Sequence, residues 1–173
     1  GRVMAGALCA SQALVTEKFL PVLKSGGMTL APFNAWVVLK GLETLELRAQ
    51  RQSENALKVG QFIETRVPRI LHPGLASHPQ HDLAKQQMSS GGTIFSIILD
   101  GREQAWALLN ALELIDISNN IGDSRTLACH NATTTHHSVG AEGRAAMGVH
   151  EGMVRISVGL EDPDDLIADL DQA

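Results

Sequence analysis

The stretch VRISVGLEDPDDLIADL, residues 154–170, predicts a β-strand that is followed at once by an α-helix. Apolar and polar side chains alternate over 154–158, which is the two-residue period of a strand with two different faces. Asp162 can cap the helix, and Pro163 suits its first position, where a missing N–H does no harm. This segment therefore predicts one strand–helix unit with a sharp boundary.

Outward from this unit, the chain continues to alternate between strands and helices. TIFSIIL at 93–99 is β-branched and apolar enough for a buried strand. Residues 119–150 are polar and contain several glycines, so we expect them to be irregular. The pattern predicts an α/β fold whose C-terminal part is an α+β domain. The expected elements are strands over 2–9, 93–99, 114–118 and 154–158, and helices over 13–23, 34–66, 81–88 and 102–112.

The composition argues against nucleic-acid and membrane partners. The net charge is −5 and aromatic residues make up 3%, so phosphate neutralisation and base stacking are both disfavoured. No apolar run reaches the roughly 18 residues of a membrane span. Cys9 and Cys129 form no CxxC pair and are typical of a reducing compartment, so we expect a cytoplasmic protein. His78 and His81 lack enough further ligands, so no metal site is expected.

Arg155 is the residue that most clearly indicates a function. The alternation places Arg155 and Ser157 on one face of the strand and three apolar side chains on the other. An arginine in an apolar strand is costly to bury unless an anion meets it, and its planar fork suits a carboxylate. From the strand alone, three interpretations stay open: a ligand carboxylate, a structural salt bridge, or a strand face that is open to water.

A second candidate is the polar cluster SNNIGD at 118–123, which follows a predicted strand end. Such positions commonly line ligand clefts in α/β folds. The same residue types also form simple turns, so both interpretations stay open. Neither a glycine-rich phosphate loop nor a nucleophile elbow is present in the sequence.

Several segments together resemble a known family. LHPGLASHPQHDLAKQQMSSGG at 71–92, followed by TIFSIILD, is similar to the C-terminal domain of the Cys/Met-metabolism enzymes that use pyridoxal 5'-phosphate (PLP). APFNAWVVLKGLETLELRAQRQSENA at 31–56 resembles that family's long linking helix, and 154–170 resembles its closing strand and helix. The segment at 116–149 is most similar to the O-succinylhomoserine sulfhydrylase branch.

The resemblance implies the C-terminal part of an aspartate-aminotransferase-like, fold type I enzyme. Residues 1–45 would be the tail of the large PLP-binding domain and the start of the linking helix, and 46–173 the domain that holds the substrate carboxylate. The implied enzyme is a homotetramer that converts an O-acylated homoserine, with the succinyl ester favoured, and sulfide to homocysteine. A cystathionine γ-synthase or γ-lyase of the same family is an alternative, as is a non-catalytic α/β binding or oligomerisation module.

Carried over residue by residue, the resemblance implies three substrate-binding positions. Arg155 matches the arginine that grips the α-carboxylate of the amino-acid substrate, Asn120 matches the position whose backbone assists it, and Thr135 would support the arginine. The family's cofactor-binding lysine lies in a Ser–x–Thr–Lys stretch that this sequence does not contain. We therefore expect that lysine upstream of Gly1, no catalytic residue within the chain, and no activity of the chain alone.

Overall fold

The computed structural model describes residues 2–173, which divide into two compact units between Glu46 and Leu47. The first unit is helical. The second contains a five-stranded sheet and most of the remaining helices. The mixed α/β character predicted from the sequence is confirmed.

The first unit departs from the expected strand at its start. Residues 2–11 have no regular secondary structure, so the strand predicted over 2–9 is wrong. A strand needs a neighbour for its N–H and C=O groups, and no neighbouring strand lies in this unit as described. Its helical segments are α1 (Gln12–Leu14), a π-helical turn (Val15–Phe19), α2 (Leu20–Gly26) and α3 (Pro32–Leu42).

The long helix predicted over 34–66 is two helices. α3 ends at Leu42, and α4 (Leu45–Ile63) begins after a two-residue turn. Gly41 lies in the last turn of α3 and Thr44 in the two-residue turn, and both residue types have low helix propensity. The apolar period continues across this break, so the sequence pattern predicted one helix where the structure has two.

The second unit is built on one mixed sheet in the order β1-β2-β5-β4-β3. Strand β5 is central, antiparallel to both of its neighbours, and only the β3–β4 pair is parallel. The strands are β1 (Arg69–Leu71), β2 (Ile94–Ile98), β3 (Asp116–Ile117), β4 (Leu127–His130) and β5 (Met153–Ser157).

One face of the sheet carries the hydrophobic core. Phe95 and Ile97 of β2 and Val154 and Ile156 of β5 pack with buried residues of α4 and of two later helices. The opposite face of β5 carries Arg155. The helices after α4 are α5 (His81–Gln87), α6 (Arg102–Ala111), a short 3-10 helix (His137–Val139), α7 (Gly140–Ala146) and α8 (Pro163–Gln172).

The prediction of an irregular segment over 119–150 is wrong in part, because this segment contains β4 and α7. All four residues of β4 are buried, so the strand lacks the alternation by which a half-exposed strand is recognised. The other local predictions fare better. The strands at 93–99, 114–118 and 154–158 and the helix at 102–112 are confirmed with small changes of boundary.

The helix start predicted at Asp162 is confirmed. The Asp162 Oδ1 atom accepts a hydrogen bond from the N–H of Asp164 at 2.9 Å, and Pro163 occupies the first turn of α8. No helix in residues 2–173 combines the length and the apolar character that crossing a lipid bilayer requires.

Candidate functional site

Arg155 lies in the middle of β5, on the sheet face opposite the helices. Its cross-strand neighbours are Ser96 of β2 and Cys129 of β4. The residue is half-buried, whereas Val154 and Ile156 on either side are fully buried in the core. Arg155 and Ser157 thus share the face opposite the core, as the alternation predicts, although Ser157 on that face is itself buried.

The Arg155 guanidinium contacts the chain that follows β3. Its Nη2 atom donates to the main-chain oxygen of Asn119 at 2.7 Å and lies 3.4 Å from that of Asn120. Its Nε atom is buried and has no acceptor within the part of the chain that the structure describes. No carboxylate among residues 2–173 forms an ion pair with Arg155.

The segment that Arg155 touches is the 119–123 turn. The N–H of Asn120 donates to the Ser118 hydroxyl at 3.3 Å. Two residues later, the N–H of Gly122 donates to the Ser157 hydroxyl at 3.1 Å. Gly122 has a φ of 72°, a left-handed conformation that glycine adopts without a steric penalty. Strand β5 thus contacts this turn through two side chains of the same face.

The far end of the turn is fixed from other elements. The Gln52 side-chain amide of α4 donates to the main-chain oxygen of Asp123. The N–H of Leu160 donates to the main-chain oxygen of Ser124 at 2.8 Å. Gln52 is 4% exposed, so its amide is a buried polar group with a specific partner in the turn.

The predicted site residues are only partly brought together. Arg155 and the backbone of Asn120 are neighbours, while the Asn120 side chain is exposed. The Thr135 hydroxyl lies 2.8 Å from Nδ1 of the adjacent His136. No hydrogen bond joins Thr135 to Arg155 in the described residues, so its supporting role stays a prediction.

Sequence reasoning missed two residues that shape this site, Ser157 and Gln52. The signal for Ser157 was present, because the period of β5 places it on the same face as Arg155. No sequence signal identified Gln52, which lies 71 residues before the carbonyl that it binds.

A cavity elsewhere in the second unit does not belong to this site. It has a volume of about 180 Å³ and lies between α4, α5 and the loops at either end of α5. Leu57, His81, Lys85 and Met88 line it, and neither Arg155 nor the 119–123 turn does. Arg155 stays the candidate functional site, because its Nε is buried without an acceptor, whereas none of the described residues that line this cavity has such an atom.

His72 is the one fully buried histidine ring whose pKa is displaced. Burial lowers its pKa, although a hydrogen bond from Nε2 to the carbonyl of Gly92 acts in the opposite direction. Its Nδ1 accepts from the N–H of Gly74 at 3.2 Å, so the neutral ring is held on both sides. Its role here is structural. Within residues 2–173, no three metal-ligating side chains cluster.

The five lysines of the chain all have exposed side chains. Lys40 pairs with Glu43 and Lys58 with Asp164 on the surface. The exposed set is Lys18, Lys24, Lys40, Lys58 and Lys85.

Known proteins match the whole of this chain. The sequence profile of the Cys/Met metabolism PLP-dependent enzymes matches residues 1–173. An O-succinylhomoserine sulfhydrylase of Mycobacterium tuberculosis is 47% identical over 180 residues, covering 100% of this chain and 44% of its own length. An L-methionine gamma-lyase of Pseudomonas putida is 44% identical over 177 residues, with the same coverage of both chains.

A solved structure agrees with these sequence matches. The cystathionine gamma synthase of Xanthomonas oryzae pv. oryzae, in complex with aminoacrylate and cysteine, is 34% identical and superposes with a TM-score of 0.85. The match covers 92% of this chain and 42% of that one. The chain thus spans less than half the length of the relatives that it matches. The chain therefore belongs to the family of Cys/Met metabolism PLP-dependent enzymes.

Proposed function

We propose that this chain is the C-terminal portion of a PLP-dependent γ-replacement enzyme. The complete enzyme converts an O-acylated homoserine, with O-succinylhomoserine favoured, and sulfide to homocysteine. The name of the M. tuberculosis relative supports the substrate, and the family supports the cofactor. Residues 1–45 belong to the tail of the PLP-binding domain and the linking helix, and 46–173 form the domain that holds the substrate carboxylate.

The observation that carries the proposal is the buried, unpaired Nε of Arg155. A buried N–H without an acceptor costs about 1–3 kcal/mol, and more when the group is charged. A carboxylate removes this cost, since it accepts two parallel bonds from a guanidinium, each worth about 1.5–3 kcal/mol. The substrate of the proposed reaction carries such a carboxylate on its α-carbon.

Each site residue has a separate task in this proposal. Arg155 binds the α-carboxylate, and the main-chain oxygens of Asn119 and Asn120 hold one of its terminal nitrogens. The remaining N–H groups of the guanidinium are then available for the carboxylate. Thr135 supports this arrangement from the 131–136 segment. PLP supplies the electron-withdrawing chemistry when bound, and the lysine that carries it comes from outside this chain.

The direct test is a product assay on the complete, PLP-loaded enzyme. We expect homocysteine from O-succinylhomoserine and sulfide. Cystathionine from the same ester and cysteine would instead support the γ-synthase. Release of a thiol from methionine alone would support the γ-lyase, which the 44% identical P. putida relative makes the second candidate. No turnover of any of these substrates would contradict the proposal and favour a non-catalytic module.

The proposal includes a homotetramer in the cytoplasm. Among residues 2–46 none is buried, and several large apolar side chains of α3 are exposed, which supports burial against protein in an assembly. Two free cysteines support a reducing compartment. Sedimentation of the complete enzyme at four times the protomer mass is the expected result, and a monomer would contradict it. The exposed set in α3 is Phe33, Trp36, Leu39 and Leu42.

A further inference from the structure

We propose that Ser157 is a positioning residue for the substrate carboxylate. Its hydroxyl fixes the 119–123 turn, and that turn fixes the guanidinium of Arg155. The inference rests on the proposed function, since it assigns a role within the same carboxylate site. It goes beyond that function because Ser157 itself need not touch the substrate.

The first step of the argument is the geometry of β5. Arg155 and Ser157 are two residues apart on one face of the strand, which separates their Cα atoms by about 7 Å. The turn contacts both side chains. The main-chain oxygen of Asn119 accepts a hydrogen bond from Arg155 Nη2 at 2.7 Å. The N–H of Gly122 donates to the Ser157 Oγ at 3.1 Å. One strand face therefore holds the turn at two points that are three residues apart.

The second step concerns what else could hold the turn. Its residues 119–122 are all exposed, and the Ile121 side chain is 57% exposed, so packing contributes little to its position. Segments with few buried apolar contacts open at low free energy unless hydrogen bonds hold them. Gln52 and Leu160 hold the far end of the turn, at Asp123 and Ser124. Across 119–122, the hydrogen bonds that come from β5 are those of Arg155 and Ser157, and we infer that they position the Asn119 carbonyl.

The third step concerns Ser157 itself. Its side chain is 1% exposed, between Ile94 of β2 and Leu127 of β4 as cross-strand neighbours. A hydroxyl is costly at such a position unless it forms a hydrogen bond, and a valine would suit the strand better. The bond from Gly122 is the one that offsets this cost.

The consequence falls on Arg155. An arginine has several rotatable bonds and loses about 2 kcal/mol of rotamer entropy when it is fixed. In the resting site the Asn119 carbonyl fixes it in advance, so the carboxylate meets a guanidinium that is already oriented. Removing the Ser157 hydroxyl would loosen the turn at Gly122, and with it the Asn119 carbonyl that orients Arg155.

The experiment is a double-mutant cycle in the complete, PLP-loaded enzyme. Ser157→Ala, Arg155→Ala and the double variant are compared by the KM and kcat/KM for the amino-acid substrate. We expect Ser157→Ala to lower kcat/KM about 10-fold, mainly by raising KM, because one ordering hydrogen bond is lost. In the Arg155→Ala background, Ser157→Ala should change kcat/KM by less than about two-fold, because the guanidinium that Ser157 helps to position is absent.

The matched control is Ser53→Ala. Ser53 is also buried, and its hydroxyl donates to the Ala49 carbonyl of α4 at 2.7 Å, so this variant likewise removes one buried serine hydrogen bond. Its kcat/KM should stay unchanged. The melting temperatures of both serine variants, measured alongside, should each lie within about 5 °C of the unsubstituted enzyme.

The outcomes separate the two claims. If Arg155→Ala lowers kcat/KM and Ser157→Ala does not, or lowers it equally in both backgrounds, the positioning role is overturned while the proposed function stands. If Arg155→Ala itself leaves kcat/KM unchanged, the carboxylate site and the positioning role both fall.

Discussion

Nη2 of Arg155 lies 2.7 Å from the main-chain oxygen of Asn119, which precedes it by 36 residues in the chain. The contact joins the central strand of the sheet to an exposed turn. A guanidinium held on a neutral carbonyl keeps its full charge for another partner. This relationship is the basis for interpreting the Arg155 face of β5 as a binding site for an anion.

Asp169 of α8 provides the first prediction on stability. Its carboxylate accepts from the N–H groups of Glu113, Leu114 and Ile115 at 2.8, 3.0 and 2.9 Å. Asp169→Ala would leave three backbone donors without this acceptor and should lower the free energy of unfolding by about 2–3 kcal/mol. Denaturant unfolding measures it. Asp165→Ala, an exposed change in the same helix, is the control and should cost less than about 1 kcal/mol.

The same carboxylate predicts a pH dependence. Burial raises the pKa of Asp169, whereas hydrogen bonds from three backbone N–H groups and from Gln172 lower it. The combined effect of the hydrogen bonds is the larger one, so the pKa lies below its ordinary value of 3.8. A lowered carboxylate pKa stabilises the folded state above the unfolded value, and this stabilisation is lost as pH falls through the folded pKa. The stability difference between the unsubstituted protein and Asp169→Ala should be constant above pH about 5 and shrink below about 4. A difference that grows on acidification would contradict this.

Gly152, just before β5, provides a test of packing. A Cβ atom there would overlap the main-chain oxygen of Leu99, which is backbone and cannot rotate away. Gly152→Ala should therefore destabilise the fold by more than about 2 kcal/mol. Gly101→Ala is the matched control, because a Cβ at Gly101 meets nothing within 4 Å, and it should change stability by less than about 1 kcal/mol. Equal melting temperatures for the two variants would contradict the packing described here.

His72 predicts a second dependence of stability on pH, in this case from a group that becomes positively charged on protonation. Burial lowers its pKa from 6.5, so the folded state favours the neutral ring. Its contribution to stability is complete above pH 6.5 and declines as pH falls towards the lowered folded pKa. Between pH 7.5 and 5, the unsubstituted protein should lose more stability than His72→Gln, which has no ionisable group. Parallel stability curves would show that His72 does not titrate differently in the folded state.

The sequence predicted features that depend on a few adjacent residues. The strand–helix boundary at Asp162 and Pro163 is a local pattern of capping, and the position of Arg155 opposite the core is a local pattern of period. Features that depend on distant partners were missed. β4 is recognisable only once β5 pairs with it, and the hydroxyl of Ser157 gains its role only when Gly122 approaches from 35 residues away.

The central claim is that Arg155 recognises the α-carboxylate of an amino-acid substrate. The most direct measurement compares kcat/KM for O-succinylhomoserine and for its α-carboxamide, in the complete enzyme and in Arg155→Ala. Arg66→Ala, at an exposed arginine that pairs with Asp171, is the control. The account predicts a loss of about 100- to 1000-fold for the carboxylate substrate and little further loss for the carboxamide. A near-normal kcat/KM for the carboxylate, or an equal loss for both substrates, would contradict it.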